Sequence, residues 1–208
     1  MTYCVGIRLN EGLVLLADTR TNAGVDNIST YRKLFTWVTP GERAIAMMCS
    51  GNLSITQGVI TRLNRAIKQS ANDEKAETIL NADTMFRVAQ IVGETMREMQ
   101  SRHRSAMEQS GSAADASIVV AGQRQGGEQR LYLVYSAGNF IEAGADTCYY
   151  QIGDHKYGKP ILDRVVDPTT SISDAVKAAL VSMDSTLRSN LSVGMPLDLA
   201  IIRTAAFH

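Results

Sequence analysis

The hydrophobic pattern of this chain changes period several times, and that order restricts the folds open to it more than any one motif. Residues 1–50 read mostly as sheet. "TYCVGIRL" and "GLVLLAD" are apolar runs separated by Asn10-Glu11-Gly12, where glycine supplies a hairpin turn, and "KLFTWV" and "RAIAMMCSG" are split by "TPGE", where Pro40-Gly41 marks another turn. The period then lengthens. Ile55, Val59, Ile60, Leu63 and Ile67 recur at helical spacing, and Met85, Val88, Val92, Met96 and Met99 mark a longer helix after Asp83. Strand character returns in "ASIVVAGQ" and "RLYLVYSA", joined by "RQGGEQ", and in the shorter "CYYQIG". Helices are expected over 154–163 and 173–190, before a last strand "LDLAIIRT". Strands, two helices, strands, two helices and a strand fit two sheets, each with its own helix layer, because every apolar sheet face needs a partner. The expected fold class is therefore α+β, a four-layer αββα sandwich. A doubly wound α/β fold would alternate strands and helices from the start. The opening hairpin also lacks G-x-G-x-x-G, which argues against dinucleotide binding.

Composition excludes further classes. The 208 residues fit one domain with a sizeable core, and 21 basic residues balance 21 acidic ones. A chain with no net charge has no global field to gather nucleic acid or an anionic membrane. Cys4, Cys49 and Cys148 lie far apart in apolar settings, without C-x-x-C spacing, so buried free thiols are expected rather than disulfides or a zinc site. Arg8, Asn10, Glu11, Asp18 and Arg20 interrupt the opening residues, so no signal-peptide core is expected there, and no segment stays apolar for the ~20 residues a membrane span needs. The expectation is a cytoplasmic protein. No metal or nucleotide motif occurs, so no cofactor is expected, and any ATP would be used by a partner.

The first strand begins almost at once, with only Met1 before Thr2. Aminopeptidases that remove methionine accept small following residues, so Thr2 is expected to become the first residue of the mature chain. A terminal threonine carries a hydroxyl nucleophile and an α-amine that serves as its own general base, with an ordinary pKa of ~7.7–8.0. Many chains begin Met-Thr without any such use, so the neighbouring residues decide. A terminal nucleophile needs a cation beside it and an anion to hold that cation. The second strand ends in Asp18-Thr19-Arg20, and Lys33 opens the third.

At this point "T-Y-C-V-G-I", "G-L-V-L-L-A-D-T-R-T-N-A-G" and "Y-R-K-L" resemble the opening signature of proteasome-type β subunits and related N-terminal-nucleophile hydrolases. Within that group the chain most resembles Anbu, the bacterial ancestral β subunit. The likeness continues through "C-S-G-N-L", "A-D-A-S-I-V-V-A-G", "Y-S-A-G-N-F", "I-G-D-H-K-Y-G-K-P-I-L-D" and "S-N-L-S-V-G-M-P-L-D-L-A-I-I", so it spans nearly all of residues 1–208 as one β-subunit-like domain. The resemblance implies Thr2 as nucleophile, Asp18 and Lys33 as the ion pair beside it, and the backbone N–H of Gly51 as oxyanion donor, with Ser50 as the alternative donor. A paired lysine lowers the cost of the Thr2 alkoxide, and a glycine lets a scissile carbonyl come close to the backbone. A donor at such a position contributes ~3–4 kcal/mol in the transition state. Thr21 and Tyr31 match positions that shape specificity pockets in relatives. Met47, Met48 and Cys49 either line such a pocket or belong to the core.

Three departures accompany the likeness. The spacing from Thr2 to Lys33 is one residue shorter than usual, so the loop over 21–32 must adjust. Gly153-Asp154-His155 replaces a Gly-Ser-Gly whose serine contacts the terminal amine. "N-L-S-V-G" at 190–194 replaces Asp-x-x-Ser-Gly, so an acid has become the neutral Asn190. Charge has thus moved to Asp154, where it would favour the ammonium form of Thr2 and oppose Lys33. Asp154 equally reads as the N-cap of the helix before Tyr157. His103, in the polar run "QSRHRS", and His155 read as structural.

The implied function is an amide or peptide hydrolase that forms an acyl-enzyme on Thr2. The alternatives are a small-molecule amidase or acyltransferase on the same nucleophile, and a non-catalytic scaffold. Relatives of this type assemble, Anbu into open or spiral rings, so self-association is implied. An unfoldase partner is compatible with the likeness; nucleic acid and membrane partners are not expected.

Overall fold

In the computed structural model, residues 1–22, 28–71, 73, 76–109 and 115–204 are described. The elements run β1 (Tyr3–Leu9), β2 (Gly12–Asp18), β3 (Arg20–Asn22), β4 (Ile28–Thr30), β5 (Leu34–Thr39), β6 (Arg43–Gly51), α1 (Leu53–Ser70) and α2 (Met85–Gln109). They continue with β7 (Ala116–Arg124), β8 (Arg130–Val134), β9 (Phe140–Glu142), β10 (Tyr149–Gly153), α3 (Lys159–Val165), α4 (Ile172–Ser189) and β11 (Leu197–Arg203). One antiparallel sheet has the order β10-β1-β2-β11, a second the order β5-β6-β7-β8-β9, and β3-β4 form a separate ribbon.

Three layers of apolar side chains separate four layers of backbone. Alternate residues of a strand point to opposite faces, so each strand feeds two layers. Tyr3, Val5, Ile7 and Leu9 of β1, with Val14 and Leu16 of β2, pack under Leu162 of α3 and Ala175, Ala179 and Met183 of α4. The intervening residues, Cys4, Leu13, Leu15 and Ala17, meet Ala44, Ala46, Met48, Val119 and Ala121 of the other sheet. On the far side Ile45, Met47, Cys49, Ile118 and Val120 lie against α1 and α2. The αββα sandwich expected from the order of periods is the one present. Both faces of β1, β2, β6 and β7 are covered, so these strands read as continuous apolar runs rather than as alternating ones.

Several expectations hold to the residue, including β2 over "GLVLLAD" and β6 over "RAIAMMCSG". In the first hairpin Leu9 pairs with Gly12, so Asn10 and Glu11 make the turn and Gly12 opens the strand. "CYYQIG" does not extend the sheet of its predecessors; β10 crosses to pair with β1. The helix expected over 154–163 starts only at Lys159, with Pro160 in its first turn and Gly158 at the cap making no side-chain bond. Proline suits the first turn because it lacks the N–H that would go unused there. Asp154 therefore does not cap this helix, which corrects that reading. The three-residue strands β3, β4 and β9 went unread; none is long enough to show a period. Within the 21–32 loop, residues 23–27 lie outside the described residues, and β3 and β4 flank them. Among the described residues no helix is long and apolar enough to cross a membrane.

Leu16 is fully buried between β2 and α4. Leu16→Ala is expected to lower unfolding stability by about 2–5 kcal/mol through lost burial and a residual cavity, read as a reduced urea midpoint with unchanged slope.

Candidate active site

Four strand ends meet at one edge of the sandwich: β1 begins at Tyr3, while β2 ends at Asp18, β6 at Gly51 and β10 at Gly153. Pairing sets their heights. Tyr3 lies opposite Gly153 and Cys4 opposite Ala17, which brings Tyr3 level with Asp18 and Thr2 level with Asp154. The backbone N–H of Asp154 donates to the Thr2 carbonyl at 2.7 Å. Gly153 has φ of +87°, and a Cβ there would overlap the Thr2 carbonyl oxygen, so only glycine permits this approach.

Asp18 is wholly buried and receives four donors from four parts of the chain. Lys33 Nζ donates to Oδ1 at 2.6 Å and the Tyr3 N–H to the same oxygen at 3.0 Å. The Arg20 N–H reaches Oδ2 at 3.1 Å and the Gly194 N–H reaches it at 3.2 Å. Lys33 Nζ spends a second proton on the Arg20 carbonyl at 2.7 Å. An ammonium has three protons, so among the described residues one is left over, and Lys33 borders the same cavity as Thr2.

That cavity has a volume of about 690 Å³. Its border includes Thr2, Lys33, Gly51 and, toward α1, Phe35, Cys49 and Leu53. Thr21 and Tyr31 border it as well, at the place their resemblance indicated. Met47 and Met48 do not: Met47 belongs to the layer under α1 and α2, and Met48 to the layer between the sheets. Cys49 does both, touching the helix-side core and the cavity.

The ladder itself distinguishes Gly51 from Ser50. The Cys49 N–H donates toward Lys33 at the β5 edge, and alternate N–H groups of a strand point the same way. The Gly51 N–H therefore points past the end of β5 into the open space beyond it, while that of Ser50 points toward β7. The Asn52 N–H, on the β7 side again, donates to the Asp115 carbonyl at 2.8 Å. Gly51 has φ of +95°, and a Cβ there would strike the Asp115 carbonyl oxygen. Immediately afterwards the Asn52 side chain accepts from the N–H groups of Ser54 and Ile55 and starts α1.

Asp154 and Asn190, the two departures between which a charge has moved, lie in contact: Asn190 Nδ2 donates to Asp154 Oδ2 at 2.5 Å. His155 is exposed beside the Gly153 carbonyl, and His103 lies on α2, away from this cavity. Sequence reasoning did not anticipate the Arg20 backbone, which serves Asp18 with its N–H and Lys33 with its carbonyl. Its place two residues after Asp18 was the available signal.

Neither nearby thiol is fitted to act as nucleophile. Burial, reinforced by the Asp18 carboxylate, pushes the Cys4 thiol well above its ordinary value, and burial alone pushes Cys49 up to about 12. All three cysteines are free and buried, as their settings suggested. At pH 8 a group titrating near 12 is about one ten-thousandth thiolate, so Cys49 should resist iodoacetamide in the folded protein and react only on unfolding. Peptide mass mapping checks this; rapid native alkylation at Cys49 would contradict it.

The sequence matches the family described as proteasome subunit over residues 2–202. The chain belongs to that family. Among solved structures, the Anbu (Gly-1) mutant from Hyphomicrobium sp. strain MC1 is 46% identical with a TM-score of 0.90, over 100% of this chain and 84% of that one. Anbu, ancestral beta-subunit, from Yersinia bercovieri is 43% identical with a TM-score of 0.89, over 99% and 84%. The helical assembly of the Anbu complex from Pseudomonas aeruginosa is 45% identical with a TM-score of 0.89, over 97% and 81%. Anbu is thus the branch of the family to which this chain is similar along its whole length. No curated protein matches it.

Proposed function

We propose that the chain is a threonine-type amide or peptide hydrolase working through an acyl-enzyme on Thr2. The observation that carries this reading is that the buried Lys33, paired with Asp18, borders the same cavity as Thr2 and Gly51. Removal of Met1 frees the Thr2 amine. The Thr2 hydroxyl then attacks the substrate carbonyl carbon, and its proton passes to the amine. The remaining Lys33 proton stabilises the oxygen of Thr2 as it ionises, and the Gly51 N–H stabilises the oxyanion that forms on the substrate. Collapse breaks the C–N bond, the leaving amine takes the proton back, and an ester on Thr2 remains. Water, deprotonated by the same amine, hydrolyses that ester, releasing the acid and restoring the hydroxyl.

A volume of about 690 Å³ lies within the range of ligand pockets, ~300–1,000 Å³. Phe35, Cys49, Leu53 and Ala116 along it support an acyl part with a bulky apolar side chain. The same volume also suits a small-molecule amide, which is the second reading. The helical assembly formed by the Pseudomonas aeruginosa relative supports self-association of this chain. Three buried free thiols are compatible with a reducing, cytoplasmic setting.

A threonine-directed electrophile should label Thr2 once Met1 is absent, and Lys33→Ala should reduce the labelling rate at least a hundredfold. Removing one partner of a buried pair also destabilises by about 3–5 kcal/mol, so circular dichroism must accompany the rate. A folded Lys33→Ala protein that labels like the parent would remove Lys33 from the reaction. For assembly, light scattering at micromolar concentration should give a mass well above 22.6 kDa. A strictly monomeric folded sample counts against it.

A further inference from the structure

Residues 190–194 touch both buried carboxylates at this edge of the sandwich. At one end of the segment the Asn190 amide donates to Asp154 Oδ2; at the other the Gly194 N–H donates to Asp18 Oδ2. The segment is itself held. Asn190 Oδ1 accepts the Ser192 N–H at 2.9 Å, the Val193 N–H donates to the Asn190 carbonyl at 3.1 Å, and Arg20 Nη1 donates to the Leu191 carbonyl at 2.8 Å. The Asn190 N–H closes the last turn of α4 on Thr186. Its side-chain amide is thus fixed from both of its atoms, and neither rotates without breaking a bond.

Asp154 is buried, with its backbone N–H fixed on the Thr2 carbonyl. Among the described residues the donor to its carboxylate is Asn190, through Oδ2 alone. A buried carboxylate with one oxygen served takes its second partner from the nearest cation or donor. We propose that Asn190 is a positioning residue: by engaging Oδ2 it fixes the carboxylate of Asp154, turns Oδ1 toward the Thr2 amine and shares the charge that this amine experiences. The assignment rests on the reading of Thr2 as the terminal nucleophile. The charged groups around that amine are Asp154 after β10, Asp18 at the end of β2, Lys33 before β5 and Arg20 at the start of β3. Of the charged residues among those described, Lys33, Arg32 and Asp115 border the cavity itself, and Asp154 follows its border residue Gly153. Asp18 and Lys33 are committed to each other, and Arg20 to Leu191, which leaves Asp154 as the carboxylate that changing Asn190 releases.

Without the amide, the carboxylate pairs more fully with the ammonium form of Thr2, and the amine holds its proton to higher pH. The amine can be titrated without turnover, by competitive acetylation with acetic anhydride across pH and mass analysis of the N-terminal peptide. All variants are prepared with Thr2 as first residue. Asn190→Ala is expected to raise the midpoint by about one pH unit, a tenfold loss of free amine at a fixed lower pH. In an Asp154→Ser background, whose own midpoint lies lower, Asn190→Ala is expected to change nothing. Asn190→Asp preserves the acceptor for the Ser192 N–H and replaces the donor with an acid; it too should raise the midpoint, and it serves if Asn190→Ala does not fold. An unmoved or lowered midpoint, or an equal shift with and without Asp154, overturns the assignment. A parent protein whose amine titrates as described but whose hydroxyl never acylates overturns instead the reading of Thr2 as nucleophile.

Discussion

The carboxylate of Asp18 is the charge on which the rest of this edge depends. A buried anion is tolerated only when its lone pairs are met, and removing one partner of such a pair costs about 3–5 kcal/mol. Here the partners come from β1, from the turn into β3, from Lys33 ahead of β5 and from the segment after α4. Those four pieces lie as many as 176 residues from Asp18 along the chain, yet each must arrive at hydrogen-bonding distance of the same two oxygens. The carboxylate therefore acts as a gauge of correct assembly. A one-residue slip of β1 against β2 moves the Tyr3 N–H off Oδ1 and reverses the faces of β1 at the same time.

The sandwich explains why chemistry gathers at strand ends rather than on a strand face. Both faces of the central strands are covered, so a polar group within them would lie between layers of leucine, valine and methionine. At the edge, β2, β6 and β10 each leave the sheet, the last two through glycines with positive φ. Backbone groups that would continue a ladder are released there. The Gly51 N–H is one, directed past the end of β5. The Asp154 N–H instead keeps the β1–β10 register and holds the Thr2 carbonyl. Strand termini thus supply aimed donors while the packed interior holds them still, which is the preorganisation that transition-state stabilisation requires.

Much of this was legible in the residues. Long runs such as "GLVLLAD" and "RAIAMMCSG" announce strands, and in the fold they supply seven and eight consecutive buried positions. Short segments were not legible. Arg20–Asn22, Ile28–Thr30 and Phe140–Glu142 become strands only because a neighbour offers a ladder. Helix 159–165 was placed five residues early, since Asp154 reads as a cap until β10 is seen to pin its N–H elsewhere.

By itself the sequence determined the order of periods, hence two sheets with their own helix layers, and the residue types that a resemblance singles out: Thr2, Asp18, Lys33, Gly51 and Asp154. It also identified Asn190 and Asp154 as departures between which a charge had moved, without placing them in contact. Only the tertiary structure decided that these two meet, that the N–H of Gly51 rather than that of Ser50 points past the end of β5, and that the Arg20 backbone serves both members of the ion pair. The physical reason is that hydrophobic periodicity is a local property, carried by which side chains avoid water. Hydrogen-bond direction is instead set by strand register and by where strands end, and register exists only once distant segments have paired.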